Sequence, residues 1–225
     1  MDGLSLREFV ERVSIHLRPL LNREGTVLYS GAQTLAPGDI YFLGLNPGGQ
    51  QGGGETIGQA LRGLPEWRGN NYLDRDWGPG AGRALLQQRV QWLMREIGFD
   101  LRQVCSSNLI FVGSPNEESA SYNEVAHVCW PVHQEILRIV QPRAVLVYGK
   151  APLRWLTQDL DEEGPAEDLG NIPSGHGSWM CTAARRKVVG RDRTIIGLPH
   201  LSRYDVRGKT NVIHWIESLI GQQAA

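Results

Sequence analysis

Leu6, Phe9, Val10, Val13, Leu17, Leu20 and Leu21 recur at three- and four-residue spacing, and Ser5 with Glu8 makes a capping-box pattern at their head. Together they predict an amphipathic helix near the start of the chain. Residues 40–45 form a short apolar run closed by Asn46-Pro47-Gly48, which reads as a buried strand with an abrupt end. Residues 48–82 are glycine-rich with little periodicity and read as a loop insertion. Leu86, Val90, Leu93, Met94 and Ile97 then form a helical stripe that Gly98 is expected to stop. Residues 104–112 predict a second strand, interrupted by Ser106, Ser107 and Asn108. Residues 123–140 are helical in composition, with a break expected at Trp130-Pro131, because proline disfavours a helical residue before it. A third strand is predicted at residues 144–148 and a short helix at 152–160. The acidic segment that follows, up to Gly177, reads as a loop. Residues 178–189 suggest a hairpin turning at the basic triplet Arg185-Arg186-Lys187. Residues 193–198 predict the fourth core strand, and Val212, Ile213, Trp215, Ile216, Leu219 and Ile220 the closing helix.

Short apolar strands alternating with helices imply an α/β fold. Its expected form is three layers, with a four-stranded, mainly parallel sheet between helices. No domain-sized linker interrupts the pattern, so residues 1–225 read as one domain, with a helical segment at 1–38 and the glycine-rich insertion at 48–82. In such folds ligands bind beyond the carboxyl ends of the strands, so the residues just after each strand carry the functional information.

Composition narrows the class. The chain has 225 residues, 41% hydrophobic and 21% charged, as soluble globular proteins do. Cys105, Cys129 and Cys181 lie far apart, which excludes a disulfide framework and a zinc ribbon and suggests a reducing, cytoplasmic setting. The start of the chain reads as a charged amphipathic helix and not as a signal peptide, and no apolar run is long enough for a membrane span. The net charge of −1 argues against a nucleic-acid binder, but the charges are unevenly spread. Asp159, Asp161, Glu162, Glu163, Glu167 and Asp168 form an acidic stretch. Arg185, Arg186, Lys187, Arg191, Arg193, Arg203, Arg207 and Lys209, against only Asp192 and Asp205, mark a segment that could face phosphate or simply solvent.

At the strand ends stand Gly44-Leu45-Asn46-Pro47-Gly48, Asn108 and Pro199-His200-Leu201-Ser202-Arg203-Tyr204. Two amides and an imidazole make a neutral polar pocket, without the carboxylate pair of glycoside hydrolases. Asn-Pro-Gly is also a common turn, and His200 could merely cap a loop. An amide inside an apolar strand is harder to dismiss, because its polar atoms need partners.

These residues carry a resemblance. GLNPG after a short strand, SNL in mid-chain, VLVYGK, and PHLSRY before a terminal helix resemble the uracil-DNA glycosylase superfamily, in order, over residues 40–219. The mismatch-specific and single-strand-selective branches, with their GINPG or GMNPG motif and a second motif of HPS or NPS, are the nearest pattern. The resemblance implies a monofunctional DNA glycosylase that hydrolyses the N-glycosidic bond of a flipped-out uracil or related pyrimidine. It implies Asn46 as the water-positioning residue, Asn108 as the reader of the base, and His200 as the donor at the base's O2. Gly44, Leu45, Pro47 and Gly48 would complete the base pocket. Ser202 would contact phosphate, Arg203 and Tyr204 would fall in the loop that wedges into the duplex, and Arg207 lies in the same basic stretch. The Ala81-Gly82 element would make Trp77 the base-stacking aromatic, with Tyr72 its competitor. The implied partner is DNA carrying a damaged or modified base, and the implied state a monomer. The cysteines of the iron–sulfur branches are missing, so no cluster is expected. Leu201 stands where the family usually has proline, and the insertion at 48–82 is long, which would suit a bulky modified cytosine of phage DNA or be surface padding. A glycosylase fold that binds DNA or protein without catalysis is the remaining alternative.

Asn108 leaves the base open, since one amide orientation matches uracil and the reverse matches cytosine. Other motifs carry less. His127, Cys129 and His133 fit no usual zinc spacing, Gly149-Lys150 lacks the rest of a phosphate loop, and GGQQGGG lacks the GxGxxG spacing. Trp92, Trp130, Trp155 and Trp215 sit on helix faces, which leaves Trp67 and Trp77 as the loop tryptophans of interest.

Overall fold

The computed structural model describes residues 5–48, 54–113, 122–161 and 164–221. The outer parts of the GGQQGGG run fall within that set, but its residues 49–53 lie outside it, as do Glu162 and Glu163. The elements are α1 (Leu6–His16), β1 (Ile40–Gly44), α2 (Ile57–Gly63), α3 (Asn71–Asp74), α4 (Leu85–Glu96), β2 (Cys105–Asn108), α5 (Tyr122–Val140), β3 (Ala144–Tyr148), α6 (Lys150–Arg154), β4 (Glu167–Pro173), β5 (Met180–Val188), β6 (Arg191–Leu198) and α7 (Thr210–Gly221).

Every residue of β1, β2 and β3 is buried, as parallel strands covered on both faces must be. Their side chains alternate between two apolar layers. Tyr41, Leu43, Val145, Val147 and Ile195 meet α1, α2 and α5 on one face. Ile40, Phe42, Leu146, Tyr148, Ile196 and Leu198 meet α4 and α7 on the other. The sheet order is β2-β1-β3-β6-β5-β4. The first four of these strands run parallel, while β5 and β4 add on antiparallel beyond β6.

The sheet therefore has six strands and not the expected four. The two extra strands come from the segments read as a loop and as a hairpin. β4 falls in the acidic stretch, where its mostly exposed side chains on an edge strand hide the alternation that marks a strand. β5 runs straight through the basic triplet, and the turn comes instead at Val189-Gly190, both at positive φ. Three further expectations change. α5 is continuous through Pro131, its buried face of Ala126, Cys129, Trp130, Val132, His133 and Ile136 holding it on the core. The second strand ends at Asn108. The glycine-rich insertion holds two short helices, and Thr56 and Gln59 make a reciprocal capping box at the start of α2. The box predicted at Ser5 and Glu8 is present, and it holds the Glu8 carboxyl below its usual range through bonds from Ser5. Among the described residues no helix is long and apolar enough to cross a membrane.

Candidate active site

Four neighbouring parallel strands deliver one residue group each to the carboxyl edge. β2 ends in Asn108. Pairing with the chain after β2 continues past β1, as Leu109 and Ile110 N–H donate to the carbonyls of Gly44 and Leu45 at 2.9 and 2.8 Å. This fixes half-buried Asn46 just beyond, with its Nδ2 donating to the Pro47 carbonyl at 3.2 Å. β3 ends in Tyr148. β6 ends in Leu198, whose carbonyl accepts from Gly149 N–H at 2.9 Å, and His200 follows. The structure thus brings Asn46, Asn108 and His200 to one edge.

Ser106, Trp155 and Thr182 each bury one unpaired polar atom, but Asn108 buries two. It is 1% exposed, and neither its Oδ1 nor its Nδ2 has a hydrogen-bond partner. The Tyr29 phenol lies close enough for the amide to favour its ionised form, but without the geometry of a hydrogen bond; burial dominates and raises Tyr29 well above the usual tyrosine range. Leaving one buried polar group unsatisfied costs about 1–3 kcal/mol, so native proteins rarely keep such a group without a use for it. Gly44 makes the close packing here feasible: a methyl group at its Cα would collide with both Asn108 Oδ1 and the Tyr148 hydroxyl.

His200 is held in one tautomer. The backbone N–H of Ser202 can only donate, and it points at His200 Nδ1 at 3.2 Å, with the Ser202 hydroxyl at 2.7 Å from the same nitrogen. Nδ1 therefore carries its lone pair, and in the neutral ring the proton sits on Nε2 as a donor. The loop is anchored from α4 by Arg89, whose Nη1 donates to the carbonyls of Leu201 and Ser202 at 2.7 and 2.8 Å. Leu201 is fully buried and supplies an apolar anchor for the loop.

Aromatic rings surround these groups. The Tyr72 and Tyr148 hydroxyls bond at 3.0 Å, and burial pushes Tyr148 up to about 12 and Tyr72 well above its ordinary value, so both stay neutral. Tyr148 also meets the His200 ring edge-on, with centroids 5.3 Å apart, and lies 5.2 Å from Phe42 at 34°. Trp77 is half-buried and packs on Tyr72 and Tyr29. Trp77 and its competitor Tyr72 thus belong to one cluster. Sequence reasoning missed Tyr148, Phe42, Tyr29 and Arg89 as site residues. Tyr148 had a signal, as the last residue of a predicted strand on an edge where ligands bind.

Several expectations about DNA contact change. Tyr204 cannot be a wedge: it is fully buried, and its hydroxyl donates to the Ser174 carbonyl at 2.9 Å. Ser202, Arg203 and Arg207 are exposed near the site. However, Arg207 is clamped on Asp205 through Nε and Nη2 at 2.9 and 2.7 Å, and its bond holds that carboxyl down at about 2. The basic segment is not one surface. Arg185, Arg186, Lys187, Arg191 and Arg193 lie at the amino end of the parallel strands, opposite the site, and Arg186 and Arg193 are buried.

His133 is structural. Its Nε2 donates to the Leu109 carbonyl at 3.0 Å, so its Nδ1 accepts from the Tyr41 hydroxyl at 2.9 Å, and burial pulls it down to about 4. Burial raises the Cys129 thiol to about 12, and no metal-binding group of three or more His, Cys, Asp or Glu side chains occurs among the described residues.

A cavity of about 580 Å³ opens elsewhere, lined by Val27, Leu28, Leu61, Trp67, Asn71 and Arg75 among others. It includes none of Asn46, Asn108 or His200. The unpaired amide and the oriented imidazole lie apart from it, at the strand ends, and their chemistry makes that edge the candidate site. No protein-family model matches this chain, and no curated protein matches it either.

Proposed function

We propose that this protein is a DNA glycosylase that hydrolyses the N-glycosidic bond of a flipped-out uracil or related modified pyrimidine. The observation that carries this reading is the buried amide of Asn108 with both ends unpaired, at the sheet edge that also carries His200. A pyrimidine edge presents a donor and an acceptor side by side, which is what an amide can satisfy. A base must leave the stack to reach such a position, at a cost of a few kcal/mol.

As the N-glycosidic bond breaks, positive charge grows on the sugar and negative charge on the departing base. His200, neutral and donating through Nε2, stabilises the base oxygen where that charge collects, an effect of about 3 kcal/mol for one donor. Asn46 cannot take a proton from water, so it orients the water through its amide oxygen. Leaving-group stabilisation therefore leads, and turnover should be modest.

The experiment is incubation with oligonucleotides holding uracil opposite guanine or in single strands, followed by alkali and a search for strand cleavage. His200→Ala and Asn46→Ala should each lower cleavage by about 100-fold or more while the fold is kept. Wild-type rates in both would remove these roles. A second reading, a glycosylase fold that binds DNA without excising a base, draws on the burial of Asn108 beneath the tyrosines. DNA binding with no product on uracil, hypoxanthine or modified cytosine would favour it.

A further inference from the structure

We infer that the phenol of Tyr148 occupies the seat of the base, so that Tyr148 and a six-membered heteroaromatic ring exclude one another. The identity of that ring rests on the glycosylase reading; the seat itself rests on geometry.

A ring bonded at once to the Asn108 amide and to His200 Nε2–H must span the space between β2 and β6, above the ends of β1 and β3. Tyr148 spans it now. Its ring meets His200 edge-on at 5.3 Å, while its hydroxyl and Asn108 Oδ1 both border the space that a Cβ on Gly44 would fill. Phe42, 5.2 Å away and inclined by 34°, offers a face to whatever ring sits there. The seat is held closed by the bond between the Tyr148 and Tyr72 hydroxyls. It is closed imperfectly, because the phenol bonds Tyr72 and makes no bond to Asn108, whose two ends stay unsatisfied. A pyrimidine supplies the donor and the acceptor that the phenol does not. Displacement of Tyr148 is therefore favoured by a ring with a hydrogen-bonding edge and disfavoured for a purely apolar one.

Tyr148→Ala should leave a hole of one aromatic ring, which small molecules can fill from solution. Thermal unfolding is followed with millimolar phenol or uracil. The variant's midpoint should rise by about 3 °C at ten times the Kd of either probe, while wild type stays unmoved. Stabilisation by both supports the seat and its pyrimidine character. Stabilisation by phenol alone supports the seat and removes the pyrimidine, which is a failure of the glycosylase reading and not of the plug. Stabilisation by neither overturns the proposal. Should that variant not fold, Tyr72→Phe keeps both rings and removes the bond that holds the phenol. Titration calorimetry should then show phenol and uracil binding about five-fold tighter than to wild type, the worth of one net hydrogen bond. Equal affinities overturn the plug.

Discussion

The two ends of the parallel sheet treat buried polar groups in opposite ways. At the amino end, Arg186 donates to the carbonyls of Leu156 and Leu160, and Arg193 to those of Val188, Arg191 and Leu137. Leu137 lies in the last turn of α5, and its carbonyl, which accepts from Gln141 N–H at 3.0 Å, takes the guanidinium as a second donor at 3.2 Å. At the carboxyl end, Asn108 is as deeply buried and has no partner at all. One edge uses its buried guanidiniums to hold the fold; the other keeps one buried amide without a hydrogen-bond partner. A charged segment and a lone amide look alike in a sequence, and only the partners separate structure from site.

The largest expected effect tests the amino end. Arg193→Ala removes its bonds to three carbonyls and opens a cavity, so stability should fall by about 3 kcal/mol in urea unfolding. DNA affinity of the folded fraction should not change, because this guanidinium faces away from the site. A loss below about 1 kcal/mol would show that the guanidinium is dispensable and would erase the contrast.

The second effect comes from His133, whose Nε2 bonds the carbonyl of Leu109, the residue next to Asn108. Its folded value is lowered to about 4, from an ordinary 6.5. The native ring stays neutral while the unfolded ring gains a proton, so stability is full above pH 6.5 and falls as pH drops towards 4. Between pH 7 and 4.5 the loss should be about 2–3 kcal/mol by urea midpoint. Asp205, held at about 2, keeps its contribution in that window and loses it only at lower pH. In His133→Gln the pH dependence should flatten; an equal decline in both proteins would assign it to other groups.

The legible parts of the fold were those where pattern and burial agree. β1 and β3 are continuous apolar runs, and α1, α4 and α7 carry clear stripes, so the four-stranded parallel core and the residues at its carboxyl edge could be read directly. β4 and β5 could not, because an edge strand exposes much of its length and buried arginines mimic a basic surface. Arg186 and Arg193 read as part of an exposed basic segment, facing phosphate or solvent, because charge in a sequence carries no depth. Tyr204 misled in the same way, as an aromatic beside basic residues that proves to be core. Within the site, Asn46, Asn108 and His200 were legible from their places after or within strands. Tyr148 was not weighed, since an aromatic ending an apolar run looks like one more core residue.

The smallest expected change in stability is also the sharpest test of the comparison. Truncating a buried hydrogen-bonded side chain normally costs the bond and the burial together. Asn108→Ala breaks no bond. It relieves an unpaired amide, which favours the variant by about 1–3 kcal/mol, and leaves a small cavity that opposes this by a similar amount. Stability should therefore remain within about 1 kcal/mol of wild type, while on the proposed base-reading role of Asn108 excision of uracil falls by about 100-fold or more. Urea unfolding and the oligonucleotide assay separate the two effects. A variant destabilised by 2 kcal/mol or more, with cleavage unaltered, would make Asn108 a structural amide like the arginines at the far edge, and the two ends of the sheet would no longer differ in kind.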